Sequence, residues 1–326
     1  MPRRQILPDT IAYGAASAAC EQEGHWEQAL QLLAAMAEGS LKPDLLTFSA
    51  WIGACERSQQ WEHALLLLRE AAHLGLQPDV IAYSAVISAV GRGRHWQWAL
   101  ELMGEMRQRD LEPDVITYSA AISACEKSRR WELVLDLLGS MRRRDLELNV
   151  VTCSAAVSAC EKGLQWAWAL HLLAEMQRIG PLPTVITYSA AIGACEKCQK
   201  WESAFELLEV MHQHALESDL FTYNTMISAC DQGEFWERAL ELVQEMQHSV
   251  LELDAITYRA AIGACEKGQE WHEAVQLMRE MQRRGLEQDV ATFGTAIGVC
   301  ADSSKWQAVL ELLEDMKRKR LGADAA

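Results

Sequence analysis

Apolar residues recur along this chain in a pattern that repeats every 35 residues. In the stretch that begins at Val115, the residues Tyr118, Ile122 and Cys125 follow an i, i+4, i+7 spacing, which predicts a first helix of about 12 residues. After a short polar break, Trp131 begins a second apolar stripe with helical spacing. We expect this stripe, including the tryptophan, to be buried between helices. Each stretch therefore predicts a helical hairpin.

The hairpin pattern returns nine times without insertion or deletion. A fixed period of this length is typical of a solenoid, in which each repeat buries its apolar face against its neighbours. The predicted fold is therefore an all-α solenoid of nine helix-turn-helix repeats. Residues 1–9 form a short lead-in, residues 325–326 follow the last repeat, and the repeats span 10–44, 45–79, 80–114, 115–149, 150–184, 185–219, 220–254, 255–289 and 290–324. Positions 1 to 35 are counted from the first residue of each repeat.

The ten cysteines indicate a reduced core rather than a disulfide framework. Eight of them occupy position 11: Cys20, Cys55, Cys125, Cys160, Cys195, Cys230, Cys265 and Cys300. One small side chain at the same helical place in successive repeats is typical of packing, and it favours a reducing compartment. Cys195 and Cys198 have the spacing of half a zinc site, but no second pair accompanies them, so no metal site is predicted. We expect no cofactor and no small-molecule substrate.

Two further features concern location. No apolar run reaches the roughly 18 residues that cross a bilayer, so no membrane association is expected. The residues before the first repeat are too few for a targeting peptide. The sequence therefore predicts either that the protein is not imported or that a leader precedes this chain.

Four positions of the first helix share a face away from the apolar stripe, namely 2, 5, 9 and 13. Position 9 is always Gly, Ala or Ser, and position 13 is basic in six repeats, at Arg57, Arg92, Lys127, Lys162, Lys197 and Lys267. This predicts a groove with a flat floor and a regularly spaced cation. A glutamate at position 12 in six repeats partly neutralises that row, so a solvated surface of Glu–Lys pairs is the alternative interpretation. The net charge of −16 argues against a general polyanion-binding surface.

The segment Pro113–Ser119, with the sequence Pro-Asp-Val-Ile-Thr-Tyr-Ser, leads into a first helix that ends Cys-Glu-Lys, and the second helix follows the pattern Trp-Glu-x-Ala-Leu-x-Leu-Leu-x-Glu-Met. On a 35-residue period, these motifs resemble the pentatricopeptide repeat family of the P type. The related 34-residue tetratricopeptide repeat fits worse, because its length is off by one in every repeat and its Trp-x2-Leu-Gly-x2-Tyr pattern is absent. The resemblance implies a right-handed superhelix of helix pairs that binds single-stranded RNA, one base per repeat, with the first helices lining the groove.

The resemblance also implies roles for individual residues. Positions 5 and 35 would select the base: Ser49, Asp79, Ser84, Asp114, Ser119, Asn149, Ser154, Thr184, Ser189, Asp219, Asn224, Asp254, Arg259 and Asp289. Position 2 would hold the base by apolar contact: Leu46, Ile81, Ile116, Val151, Ile186, Phe221 and Ile256. The basic residues at position 13 would meet phosphate. Asp at position 35 also has a purely structural interpretation as a helix cap.

By the family's pattern, Ser with Asp prefers guanine, Ser with Asn prefers adenine, and Asn with Asp prefers uracil. The expected target, read 5′ to 3′ in parallel with the chain, is N-G-G-A-N-G-U-N-N. Repeats one and nine have glycine at position 5, Ser154 with Thr184 is not a standard pair, and Arg259 is bulky and charged. These departures leave four bases unassigned.

The sequence thus predicts a non-enzymatic RNA-binding solenoid that serves RNA processing, stabilisation or translation. By family resemblance, its location is the mitochondrion or the chloroplast. We expect no deaminase extension, which would need His-x-Glu and Cys-x2-Cys motifs at the carboxyl end, and the nine histidines have no regular catalytic partners. The alternative is a protein-interaction scaffold that uses the same concave surface, which the acidic balance supports. Salt dependence separates the two, because phosphate contacts weaken steeply as salt rises.

Overall fold

The computed structural model describes residues 10–39, 41–249 and 251–319. The lead-in 1–9, Asp324 and residues 325–326 lie outside these ranges. All regular secondary structure within them is helical, and two kinds of helix alternate. The first helices, with odd numbers α1 to α17, span Thr10–Glu23, Leu45–Arg57, Val80–Arg92, Val115–Lys127, Val150–Lys162, Val185–Lys197, Leu220–Gly233, Ala255–Gly268 and Val290–Asp302. The second helices, α2 to α18, span Trp26–Glu38, Trp61–His73, Trp96–Gln108, Trp131–Arg143, Trp166–Ile179, Trp201–Gln213, Trp236–His248, Trp271–Arg283 and Trp306–Arg318.

An acidic or amide side chain at position 35 caps the first helix that follows it. Asp114 precedes α7 in extended conformation, and its Oδ1 accepts a hydrogen bond from the backbone N of Thr117 at 2.8 Å. Equivalent bonds of 2.8–2.9 Å are made by Asp44, Asp79, Asn149, Asp219, Asp254 and Asp289. Such a cap stabilises a helix by about 0.5–2 kcal/mol. Capping therefore explains why the first helices begin at position 1.

The turn inside each hairpin is closed by a residue in the left-handed region at position 15. Gly24 has φ 70° there, and eight residues with side chains have φ between 55° and 65°: Gln59, Arg94, Arg129, Leu164, Gln199, Glu234, Gln269 and Ser304. A residue in this conformation ends the first helix, so the first helices have nearly the same length. As a result, every second helix begins at the tryptophan of position 17.

The core follows the predicted stripe of the first helix and part of that of the second. Tyr118, Ile122 and Cys125 are all fully buried, and Leu138 and Met141 of α8 are buried as well. The expectation that the position-17 tryptophans are buried in the same way was wrong. Trp131 and its equivalents are half-buried, and Trp306 is 66% exposed.

The half-buried tryptophans lie at the start of their helices, and the turn of the next repeat covers one side of Trp61, Trp131, Trp201 and Trp236. A Cβ added to Gly163 would lie 2.3 Å from Cδ1 of Trp131, so the glycine permits this contact. Where the residue at position 16 is basic, its side chain stacks on the tryptophan ring of the preceding repeat. The Arg130 guanidinium carbon lies 5.0 Å from the ring centroid of Trp96, and Lys305 Nζ lies 5.3 Å from that of Trp271. These contacts are cation–π interactions between neighbouring repeats.

The helices form two compact bodies. One extends to Gly163 and includes Ile179–Pro181, and the other comprises Leu164–Arg178 and the chain from Leu182 onwards. In the first body, α1, α3, α5, α7 and α9 stack in order, and in the second body α11, α13, α15 and α17 do the same. Second helices form another layer within each body, as α4 does by packing against α3 and α5 and α14 by packing against α13 and α15. Each body is thus a two-layered all-α solenoid. None of the helices in the described ranges combines the length and the hydropathy of a membrane span.

Candidate nucleic-acid interface

Position 2 of the first helices carries exposed apolar side chains. Their exposed fractions range from 56% at Ile256 to 76% at Leu46, and Ile81, Ile116, Val151, Ile186 and Phe221 lie between these values. Helical geometry places them on the side opposite Tyr118 and its equivalents, so they take no part in the core. Four of these side chains lie on the first body and three on the second. Their recurrence at the same position of successive helices suggests a binding surface on each body rather than isolated exposure.

Position 5 lies where two adjacent first helices meet. Ser84 and Ser189 are buried, with exposed fractions of 7% and 5%. The other side chains at this position are less covered: Ser49, Ser119, Ser154 and Asn224 are half-buried, and Arg259 is exposed. The hydroxyls therefore do not project freely into solvent, although position 5 lies on the face away from the apolar stripe. They lie in the seam between repeats, beside the exposed side chains of position 2.

A threonine of the following repeat connects position 5 to position 35. Ser84 Oγ lies 2.7 Å from Thr117 Oγ1, and Thr117 Oγ1 donates to Asp114 Oδ1 at 2.7 Å. Ser84 Oγ also donates to the carbonyl of Val80 at 2.6 Å. The side chains of Ser84 and Asp114, which the sequence pairs across 30 positions, are thus joined by one intervening hydroxyl.

The same arrangement recurs in two further repeats. Thr152 joins Ser119 to Asn149 with oxygen–oxygen distances of 2.5 and 2.8 Å. Thr222 joins Ser189 to Asp219 at 2.8 and 2.6 Å. This bridge, which uses the threonine at position 3, was not predicted from the sequence. The available signal was the presence of threonine there in seven of nine repeats.

Repeat seven brings its two predicted residues into direct contact. Asn224 Nδ2 donates to Asp254 Oδ2 at 3.4 Å, and Thr257 Oγ1 contacts both Asn224 Oδ1 at 2.5 Å and Asp254 Oδ1 at 2.8 Å. In repeat eight, the guanidinium of Arg259 lies 3.5 Å from Asp289 Oδ2. Positions 5 and 35 are therefore neighbours whether the residue at position 5 is small, polar or charged.

The capping contacts also affect the charge of the position-35 carboxylates. The hydroxyl and the backbone N–H of Thr47 donate to Asp44 and lower its pKa. The same two groups of Thr292 lower the pKa of Asp289, with a smaller contribution from Arg259. Both carboxylates are ionised at neutral pH, so they can only accept hydrogen bonds from a ligand.

Position 13 lies at the other end of the face, and Arg92 and Lys162 are each paired there with a glutamate of the preceding repeat. Glu56 Oε1 lies 3.1 Å from the guanidinium of Arg92 and accepts from Ser88 Oγ at 2.7 Å. Lys162 pairs with Glu126 in the same way. The predicted partial neutralisation of this row therefore takes place across the boundary between repeats.

Lys127 has a different neighbour. Position 12 of the preceding repeat is Gly91, which offers it no carboxylate. A Cβ at Gly91 would lie 3.0 Å from the carbonyl oxygen of Ala120, so a larger residue would push α5 and α7 apart. Lys127 is half-buried. The glutamates at position 12 therefore neutralise the charge of Lys127 less than they neutralise the charges of Arg92 and Lys162. Within the described ranges, no three His, Cys, Asp or Glu side chains converge where a metal ion could bind.

The chain matches the model of the pentatricopeptide repeat domain over residues 1–57, 66–128, 136–198 and 276–322, which is more than half of its length. It belongs to the pentatricopeptide repeat family. A model of the PPR repeat family matches residues 183–232, and a model of the single PPR repeat matches 116–146, 221–249 and 256–286. Comparison with curated protein sequences gives no significant match.

Solved structures show the same fold. The pentatricopeptide repeat protein PPR10 in complex with an 18-nucleotide PSAJ RNA element matches with a TM-score of 0.77 at 18% identity, over 98% of this chain and 47% of that one. PPR10 from maize matches with a TM-score of 0.54 at 18% identity, over 98% and 55%. Nuclear proteinaceous RNase P 2 from A. thaliana matches with a TM-score of 0.51 at 11% identity, over 60% and 45%. This PPR chain spans about half the length of the chains it matches.

Proposed function

We propose that this PPR chain binds single-stranded RNA along its first helices, one base per repeat, and that it has no enzymatic activity of its own. Position 2 supplies an apolar surface for each base, positions 5 and 35 supply hydrogen bonds to its pairing edge, and position 13 contacts the backbone. Modular RNA readers of this kind use two or three side chains per base. The exposed apolar side chains at position 2 of both bodies support the proposal, because the core does not account for their exposure.

The single observation that carries the proposal is the Ser84–Thr117–Asp114 arrangement. Because Asp114 Oδ1 is occupied by the backbone N–H and the hydroxyl of Thr117, Oδ2 is the oxygen left for a ligand. At Asn149, Oδ1 is occupied in the same way, so the amide Nδ2 is left as a donor. The helix cap thus sets which atom of position 35 is available for a base.

These atoms match the pairing edges of different bases. Guanine presents two adjacent donors, N1–H and N2–H, which suit two acceptors such as Ser84 Oγ and Asp114 Oδ2. Adenine presents a donor at N6 and an acceptor at N1, which suit Ser119 Oγ and Asn149 Nδ2. In uracil, N3–H suits the Asp254 carboxylate, and a neighbouring carbonyl suits Asn224 Nδ2. The proposed preference is therefore G for repeats two, three and six, A for repeat four and U for repeat seven.

The proposed role is to cover or remodel an organellar transcript during its processing, stabilisation or translation. The family resemblance supports a mitochondrial or chloroplast location, and a PPR10 structure contains an RNA element. A solenoid that only binds could act by excluding other factors from the strand. Binding free energy alone is sufficient for that action.

The test measures the affinity of the protein for the RNA UGGAUGUUU by fluorescence anisotropy. The titration is then repeated with RNAs in which one position at a time carries each of the other three bases. We expect substitution at the second, third, fourth, sixth and seventh bases to weaken binding, and substitution at the unassigned bases to have less effect. The same sequence as DNA is the control for ribose contacts. Equal affinity for the whole panel would exclude base selection.

A protein-binding scaffold is the second candidate function, and the carboxylates along the first helices favour it. Glu56 and Glu126 neutralise Arg92 and Lys162, which weakens attraction to phosphate. A protein partner held mainly by apolar contacts at position 2 would bind with little salt dependence, whereas RNA binding should weaken steeply with salt. Titration at several salt concentrations therefore separates the two functions.

A further inference from the structure

Repeats two and three contain the same predicted pair, Ser at position 5 and Asp at position 35, but they differ in the residue between them. In repeat three, Thr117 bridges Ser84 and Asp114. In repeat two, the residue that follows the pair Ser49 and Asp79 at the equivalent place is Ala82. Alanine has no hydroxyl, so this repeat cannot form the bridge.

In repeat three, the bridge determines where the single protons of the Thr117 and Ser84 hydroxyls point. Thr117 Oγ1 has one proton, and the carboxylate of Asp114 at 2.7 Å can only accept it. Thr117 Oγ1 can then only accept from Ser84, whose single proton is shared between Thr117 Oγ1 at 2.7 Å and the carbonyl of Val80 at 2.6 Å. Both acceptors belong to the protein. A ligand therefore meets Ser84 Oγ as an acceptor.

Repeat two lacks this constraint on both of its selecting residues. Asp79 Oδ1 accepts a hydrogen bond from the backbone N of Ala82 at 2.9 Å. Ala82 has no hydroxyl to donate a second one. No threonine fixes the proton of Ser49, whose side chain is half-buried. A serine hydroxyl that can rotate presents either its proton or a lone pair. It therefore suits the acceptor N1 of adenine as well as the donors of guanine.

We infer that the threonine at position 3 of the following repeat is a specificity-determining residue, which fixes the serine at position 5 as an acceptor and the free oxygen of the aspartate toward the base. This inference rests on the proposed RNA binding. It assigns Thr117 to the base of repeat three and Thr222 to that of repeat six, and it makes Ala82 the cause of weaker discrimination in repeat two. Thr117 acts through Ser84 and Asp114, so it is a positioning residue.

The experiment compares guanine with adenine at the second and third bases of UGGAUGUUU. In the unmodified protein, the preference for guanine is expected to be greater at the third base than at the second. Thr117→Val should lower it at the third base by about 3- to 10-fold, the effect of about one hydrogen bond, and should leave the second base unchanged. Thr117→Ser retains the hydroxyl and should restore the preference.

Ala82→Thr is the converse variant and does not depend on how well Thr117→Val folds. It should raise the preference for guanine at the second base to the level of the third. The inference is overturned if the two bases are discriminated equally in the unmodified protein, or if neither Thr117→Val nor Ala82→Thr changes the ratio. Loss of preference at every base would overturn the proposed function as well, so the two failures are distinguishable.

Discussion

The side chain of Glu56 lies 3.1 Å from that of Arg92, although the two residues belong to successive repeats. Arg92 is one of six cations that the sequence assigns to phosphate contact, and this pairing reduces the charge it offers to RNA. In the repeat before Lys127, position 12 is Gly91 instead of a glutamate. We therefore expect the phosphate contacts to be unequal along the row.

Lys127→Gln should reduce the log–log slope of RNA affinity against salt by about 0.7, the value for one phosphate contact on a single strand. Arg92→Gln should change the slope less, because Glu56 already neutralises that charge. Glu56→Gln should increase the slope by releasing Arg92. Equal effects of Lys127→Gln and Arg92→Gln would contradict the unequal row.

Asn224→Ser together with Asp254→Asn should change the preference of repeat seven from uracil to adenine. The double change recreates the arrangement of Ser119 and Asn149, in which the amide Nδ2 is left as a donor. Anisotropy titrations with U or A at the seventh base measure the change. If the double variant and the unmodified protein show the same ratio of affinities for the two RNAs, the prediction that this repeat selects its base is wrong.

Ile116→Ala should weaken RNA binding without lowering the melting temperature. The side chain of Ile116 is 66% exposed, so its removal deletes a base contact and leaves the core intact. Ile122→Ala, six residues along the same helix and fully buried, is the matched control and should cost about 2–5 kcal/mol of stability. Thermal unfolding that shows a greater loss for Ile116→Ala would mean that position 2 is part of the packing.

Trp131→Ala should destabilise the protein by less than the about 3–5 kcal/mol typical of a fully buried tryptophan. Trp131 is half-buried and is covered on one side by the turn at Gly163. Trp306→Ala is the comparison, because Trp306 is 66% exposed and should cost less still. Urea unfolding measures both, and equal losses would contradict the role of the following turn.

The buried thiols should be unreactive in the folded protein. Burial raises the pKa of Cys125 to about 11 and that of Cys195 to about 12, from an ordinary value of 9.0. Cys198, which is half-buried, should be alkylated first by iodoacetamide at pH 8. Peptide mass spectrometry identifies the labelled residue, and fast labelling of Cys125 would contradict its burial.

The same shifts predict a loss of stability at high pH. Below pH 9 the thiols are protonated in both the folded and the unfolded chain, so they do not oppose folding. Between about pH 9 and 11 the unfolded chain loses these protons while the folded chain retains them, so the free energy of unfolding falls as pH rises. Urea titrations at pH 8 and pH 10 measure the fall, and replacing Cys125 and Cys160 with alanine should reduce it.

The sequence by itself determined the period, the helix boundaries and the two faces of the first helix. Asp114 begins a helix through its own cap, and the spacing of Tyr118, Ile122 and Cys125 specifies the buried stripe, because both depend on residues within one helix or directly before it. The exposure of Ile116 follows from the same geometry. These features are local, so a helical pattern is sufficient to predict them.

Only the tertiary structure decided which side chains meet across repeats. Thr117 reaches Ser84 across 33 positions, and Glu56 reaches Arg92 across 36, because the first helices pack side by side at a particular register. No spacing within one repeat specifies that register. The half-burial of Trp131 has the same origin, since the turn that covers it belongs to the next repeat. Packing between repeats therefore determines the direction of these hydrogen bonds and how far each cation is neutralised, and the helical pattern specifies neither.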